Sequence, residues 1–191
     1  MSSSQINLKL LKELSLATGV PGNENNIRKI VRREITDHVD SIEVDHMGNL
    51  IAIKKGKSDD HKVMAAAHMD EIGFMISSID EDGFARFQTL GGFDPKTLTA
   101  QKVTVHGKKD MLGVMGVKPI HAMKEEERKK PPKIEDYYID FGMDAEDVKE
   151  IVSPGDFVTR YGEFHEMGNC VCSKSLDNRF AVFQLIESLK I

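Results

Sequence analysis

Apolar residues recur along this chain in two rhythms, and the switches between them divide it into three stretches. In residues 8–17, Leu10, Leu11, Leu14 and Ala17 fall on one face at helical spacing, which predicts an amphipathic helix. Thr18-Gly19-Val20-Pro21-Gly22 breaks it. Asn23 is then placed to cap a second helix running to about residue 38, with Ile27, Ile30, Val31 and Ile35 as its apolar stripe. Residues 41–44 and 49–53 read as two strands around the turn Asp45-His46-Met47-Gly48. Residues 62–67 form a short, nearly all-apolar run bounded by charge, the pattern of a central strand buried on both faces.

After His68 the rhythm changes. Short strands are expected at 74–79 and 84–89, joined by the hairpin signal Asp80-Glu81-Asp82-Gly83, and again at 102–106, 111–117 and 156–160. Short strands at such even spacing predict a small barrel or sandwich. The charged, proline-ended run over 124–132 reads as a solvated loop, and 144–152 as a short helix capped by Asp144. From Gly168 the first texture returns, with a strand over 169–172 and a helix over 177–189. That last helix carries Phe180, Val182, Phe183, Leu185, Ile186 and Leu189, and so needs a sheet to cover. The expected organisation is an α/β domain formed by 1–71 and 166–191, interrupted by an all-β insertion over 72–165.

Composition narrows the function. Of 191 residues, 40% are hydrophobic and 30% charged, an ordinary globular balance. The net charge of −5 gives no electrostatic reason to expect nucleic acid as a partner. No apolar stretch is long enough to span a bilayer, and the N-terminus lacks a basic segment followed by an apolar run, so neither a membrane nor a leader is expected. Cys170 and Cys172, the two cysteines, are poorly spaced to bridge each other and too few for a structural zinc site. They read as strand residues or small fillers, and a reducing, cytoplasmic setting is expected.

Two places carry candidate chemistry. Ala67-His68-Met69-Asp70-Glu71 follows the apolar run, where ligands bind in open α/β sheets. An imidazole ligates zinc or cobalt well, and a carboxylate two residues on can hold its other ring nitrogen. An ordinary surface His-x-Asp fits the same three letters. In Lys174-Ser175-Leu176-Asp177-Asn178-Arg179, Asp177 suits two compatible roles: N-cap of the last helix, or a carboxylate bridging two cations. His121 is a weaker candidate in a loop, and His106, in a strand, is expected to face solvent. There is no phosphate-binding glycine loop and no nucleophile elbow.

Six phrases in order give the chain a family likeness: LATGVPGNE from Leu16, the D-x-x-G-N-L pattern from Asp45, AHMDEIGFM from Ala67, TLGGFDP from Thr89, GVMGVKPIH from Gly113 and SLDNRFA from Ser175. Together they resemble the M42 metallo-aminopeptidases, the glutamyl aminopeptidase-like peptidases. The resemblance implies a phosphorylase/peptidase-like α/β domain, incomplete here, with an inserted PDZ-like β-barrel domain that mediates assembly into dimers and tetrahedral dodecamers. It implies two divalent metal ions, zinc or cobalt, with His68 as a ligand of one, Asp177 bridging both and Asp70 orienting the histidine. It implies removal of N-terminal residues from a peptide substrate. It also implies a chain about twice as long, with the base and remaining ligands beyond Ile191, so this chain is expected to hold metal poorly and to be inactive alone. Two other readings compete: a shortened, non-catalytic scaffold or regulatory subunit, and a glucanase. The absence of Trp and an aromatic content of 6% leave little surface for stacking sugars.

Overall fold

The computed structural model describes residues 6–58 and 60–191, and the chain divides into two compact units. One comprises the residues up to Glu71 together with Glu163–Ile191; the other is Ile72–Gly162.

In the first unit, α1 (Leu8–Leu16) is capped by Asn7, whose side chain accepts from the Leu10 N–H at 3.1 Å. Leu10, Leu11 and Leu14 are its buried face, as the spacing predicts. The second helix, α2 (Asn25–Ile35), starts one residue later than a cap at Asn23 predicts, with Glu24 in the cap position. Asn23 instead closes the turn before it, donating its N–H to Val20 O at 2.9 Å, with Gly22 at φ +85°. β1 (Ser41–Val44) and β2 (Leu50–Ile53) pair as an antiparallel hairpin, Ser41 opposite Ile53 and Val44 opposite Leu50. The D-x-x-G-N-L phrase is the machinery of this turn. The Asp45 carboxylate accepts from the Met47 N–H, the Asn49 N–H and the Asn49 side-chain amide at 2.8–2.9 Å, and Gly48 takes φ +86°.

The run over 62–67 is not the central strand that its composition suggests. It forms no ladder among the described residues, and Val63 and Met64 are 94% and 91% exposed. An apolar run becomes a buried strand only between neighbours that take its backbone groups, and β1 and β2 pair only with each other. An apolar cavity of about 350 Å³ opens along this stretch, lined among others by Leu50, Ala52, Val63, Ala65 and Ile186.

Past the second unit, β9 (His165–Met167) and β10 (Cys170–Cys172) form a small hairpin. Both cysteines are free and exposed there, so they are strand residues and fill no core. The last helix, α5 (Leu176–Leu189), buries Val182, Phe183 and Ile186 against α1 and α2.

The second unit is a closed six-stranded barrel. Its strands, in chain order, are β3 (Gly73–Ile79), β4 (Ala85–Leu90), β5 (Lys102–His106), β6 (Asp110–Gly116), β7 (Tyr138–Asp140) and β8 (Phe157–Arg160), arranged around the barrel as β3-β4-β7-β6-β5-β8. Alternate residues point inward: Phe74 and Ile76, Ala85 and Phe87, Val103 and Val105 are all buried. Phe93, from the TLGGFDP phrase, stacks on Phe74 with ring centroids 4.3 Å apart. Gly113 faces Ile139 so closely that a Cβ there would overlap the isoleucine methyl. The charged run over 124–132 contains one short turn of helix, α3 (Glu125–Arg128), and α4 (Ala145–Ile151) follows Asp144, which holds the cap position without a side-chain capping bond. His106 does not face solvent. Its Nδ1 meets Asp110 Oδ1 at 2.8 Å and its Nε2 meets Thr159 Oγ1 at 3.0 Å, because Asp110 sits opposite it in the β5–β6 register.

Candidate metal centre

His68 lies at the end of the unpaired apolar run, and both its ring nitrogens are engaged. Nδ1 meets Asp70 Oδ1 at 3.0 Å and Nε2 meets Asp177 Oδ1 at 3.2 Å. The three residues that the motifs single out thus form one chain, carboxylate–imidazole–carboxylate. The outer end is open: the side chains of His68 and Asp177 are 54% and 95% exposed.

The backbone explains how Asp177 arrives there. Ser175 occupies the cap position at φ +59°, while Asp177 (φ −87°, ψ 108°) and Asn178 (φ −120°, ψ 31°) are not helical, and the peptide between these two is cis. Regular helix begins only after Asn178. Asp177 therefore does not cap α5; its carboxylate stands ahead of the first helical turn and is turned to His68.

The arrangement has a chemical consequence. A neutral imidazole carries one N–H. If that N–H is at Nδ1 and donated to Asp70, then Nε2 and the Asp177 carboxylate face each other as two acceptors. Two lone pairs 3.2 Å apart need a cation between them, either a proton or a metal ion. The spacing suits a metal. Tetrahedral zinc with bonds of about 2.0–2.2 Å holds adjacent ligand atoms about 3.4 Å apart. Among the described residues no third His, Cys, Asp or Glu completes the set. His121 belongs to the barrel unit, where it sits exposed on a short turn.

Beneath this open edge is a buried polar layer that the motifs did not announce. Glu71 accepts from Lys174 Nζ at 2.7 and 2.9 Å and from Ser175 Oγ at 2.7 Å, and donates its backbone N–H to Gly19 O at 2.8 Å. Arg179 is fully buried, with Nη1 donating to Leu14 O at 2.6 Å and Ala17 O at 3.0 Å. Burial pushes the Arg179 guanidinium down from its ordinary value, and the charges of Glu71 and Asp70 pull it back up. A signal for Arg179 was present in the sequence: Arg179, Val182, Phe183 and Ile186 share one helical face, and a charge on an apolar stripe must find buried partners.

Residues 48–191 match the family described as M42 glutamyl aminopeptidase. The lysyl aminopeptidase of Pyrococcus furiosus is 33% identical over 194 residues, covering 97% of this chain and 55% of the relative. A TET aminopeptidase structure from a marine-sediment Thaumarchaeota archaeon superposes with a TM-score of 0.91 at 33% identity, over 95% of this chain and 52% of that one. A structure of the Pyrococcus horikoshii TET1 peptidase, described as able to assemble into a tetrahedron or a large octahedral shell, superposes with a TM-score of 0.83 at 35% identity, over 96% of this chain and 55% of that one. The chain spans about half the length of these relatives. Through that match, which takes in His68, Asp70 and Asp177, the chain belongs to the M42 glutamyl aminopeptidase family.

Proposed function

We propose that this chain carries part of a two-metal aminopeptidase centre, with His68 and Asp177 as metal ligands and Asp70 as the acid that orients the imidazole. The observation that carries this reading is the approach of His68 Nε2 to Asp177 Oδ1, 3.2 Å apart on an open edge. Asp70, 3.0 Å from Nδ1, suits the tautomer that carries its proton there and offers Nε2 to a metal. Asp177, with a second carboxylate oxygen available, suits a bridging position. When bound, divalent ions would acidify a water and polarise the carbonyl of a peptide substrate. Zinc, cobalt and manganese all suit His and Asp donors.

The remaining readings are proposals of the same kind. Residues 1–71 and 166–191 form the catalytic α/β portion, and 72–165 an inserted PDZ-like β domain that mediates homo-oligomers; the assembling TET1 relative supports homo-oligomers as such. A reducing, cytoplasmic setting suits two exposed free thiols. Among the described residues no helix is long and apolar enough to cross a membrane.

Because only two ligand side chains converge among the described residues, this chain alone is expected to retain metal weakly and to lack turnover. Cobalt titration followed by d–d absorbance, with His68→Ala as control, tests the site. Binding that His68→Ala does not weaken would overturn it. An aminoacyl-p-nitroanilide assay with added cobalt tests the second point, and clear turnover by the 191-residue chain would refute it. A scaffold role for a non-catalytic form stays compatible with weak metal binding. A glucanase reading finds no support here, since Asp70 is bound to an imidazole rather than set opposite a second carboxyl group across a cleft.

A further inference from the structure

Glu71 takes no part in the proposed ligand set, yet it is 3% exposed and its partner Lys174 only 8%. Glu71 follows Asp70 directly and lies three residues after His68; Lys174 and Ser175 lie three and two residues before Asp177. The three hydrogen bonds from Lys174 and Ser175 to the Glu71 carboxylate therefore join the two segments that carry the ligands. We infer that Glu71, with Lys174 and Ser175, is a positioning clamp that sets the separation of His68 and Asp177 and so decides how well this site takes a divalent cation. The inference rests on the metal reading above.

Packing alone does not supply that separation: Ala67 and Met69 beside His68, and Leu176 beside Asp177, lie against one apolar core, but the ligand side chains themselves are largely in solvent. They are 109 residues apart in sequence, so the chain does not supply it either. The clamp does, and both its halves are tied to one frame. Glu71 N–H is held by Gly19 O, just past α1, while Arg179, two residues after Asp177, is held by the Leu14 and Ala17 carbonyls at the end of the same helix. A buried ion pair is often no more stabilising than an apolar pair of similar volume. What it adds here is direction: a carboxylate receiving three donors has one orientation, and it orients the residues on either side.

The test uses the whole chain and the variants Glu71→Gln, Lys174→Met and the two combined. The double variant removes both buried charges of the pair together, so neither is left unpaired while the Lys174 bonds are lost. In metal-free protein, the His68 ring nitrogen shifts and the nuclear Overhauser contact between its ring protons and the Asp177 β protons report ligand geometry directly. The double variant is expected to weaken that contact and broaden the ring signals, and to bind cobalt about 10- to 100-fold less tightly in competition with a chelator. Unchanged ring signals and contact in a folded double variant overturn the clamp. Should that variant fail to fold, Ser175→Ala, which leaves the ion pair whole, decides: an unaltered contact and cobalt spectrum there also overturn it. If the wild-type chain binds no cobalt but the metal-free signals respond as expected, the metal reading fails and the clamp stands.

Discussion

Arg179 holds its charge in a fully buried place, where Nη1 satisfies two carbonyls left over at the C-terminal end of α1. Its Nε and Nη2 find no acceptor among the described residues. The nearby charges of Glu71 and Asp70 offset part of the burial of a guanidinium that is basic enough to stay charged in any case. Truncation would leave Leu14 O and Ala17 O unpaired and leave Lys174 as the one cation bonded to Glu71 among the described residues. Arg179→Ala is therefore expected to cost about 3–5 kcal/mol of the first unit's stability, read as a lowered urea midpoint. A loss under about 1 kcal/mol would show that the guanidinium is dispensable there.

At the scale of elements, the β1–β2 hairpin owes its turn to one exposed carboxylate. Hydrogen bonds from the Asn49 side chain, then the Asn49 backbone, hold the Asp45 carboxyl below its ordinary value. A carboxyl whose folded pKa lies below its unfolded value, about 3.9, stabilises fully above that value and loses the contribution as pH falls through the folded pKa. Wild type should thus exceed Asp45→Asn in hairpin stability at neutral pH, with the gap closing in acid. Nuclear magnetic resonance shifts of Met47 and Asn49 amides across an acid titration measure this, and a gap that persists unchanged in acid would refute it.

Elements also show what a sequence makes legible. Period-two runs announced most barrel strands, because Val103 and Val105, or Phe74 and Ile76, alternate with residues that face outward. β7 and β9, three residues each, are too short to leave a periodic trace. Residues 62–67 have the composition of a buried strand without being one, because composition reports the apolarity of a run and not whether anything lies beside it. The same contrast holds at the site. His68, Asp70 and Asp177 stand within recognisable phrases. Glu71 and Lys174 meet across 103 residues, and nothing in the local pattern of either announces the other.

At the scale of the whole molecule, the two units resist opening in different ways. Each barrel strand is hydrogen-bonded on both sides, so its amides are freed only when the closed sheet comes apart. In the first unit, residues 61–67 have no ladder partner among the described residues. Hydrogen-exchange mass spectrometry should show the slowest exchange in β3, β5 and β8 and near-free exchange across 61–67. Strong protection of that run would mean that it is paired after all.

The exposed Val63 and Met64 have a further consequence for handling the protein. An extended run with bare backbone groups and greasy side chains is adhesive, since a like run from another molecule can line up with it and zip. The closed barrel offers no such rim. Concentrated solutions of this chain are thus expected to clump through the stretch that leads into His68, seen as light scattering that falls when Val63 and Met64 are replaced by polar residues.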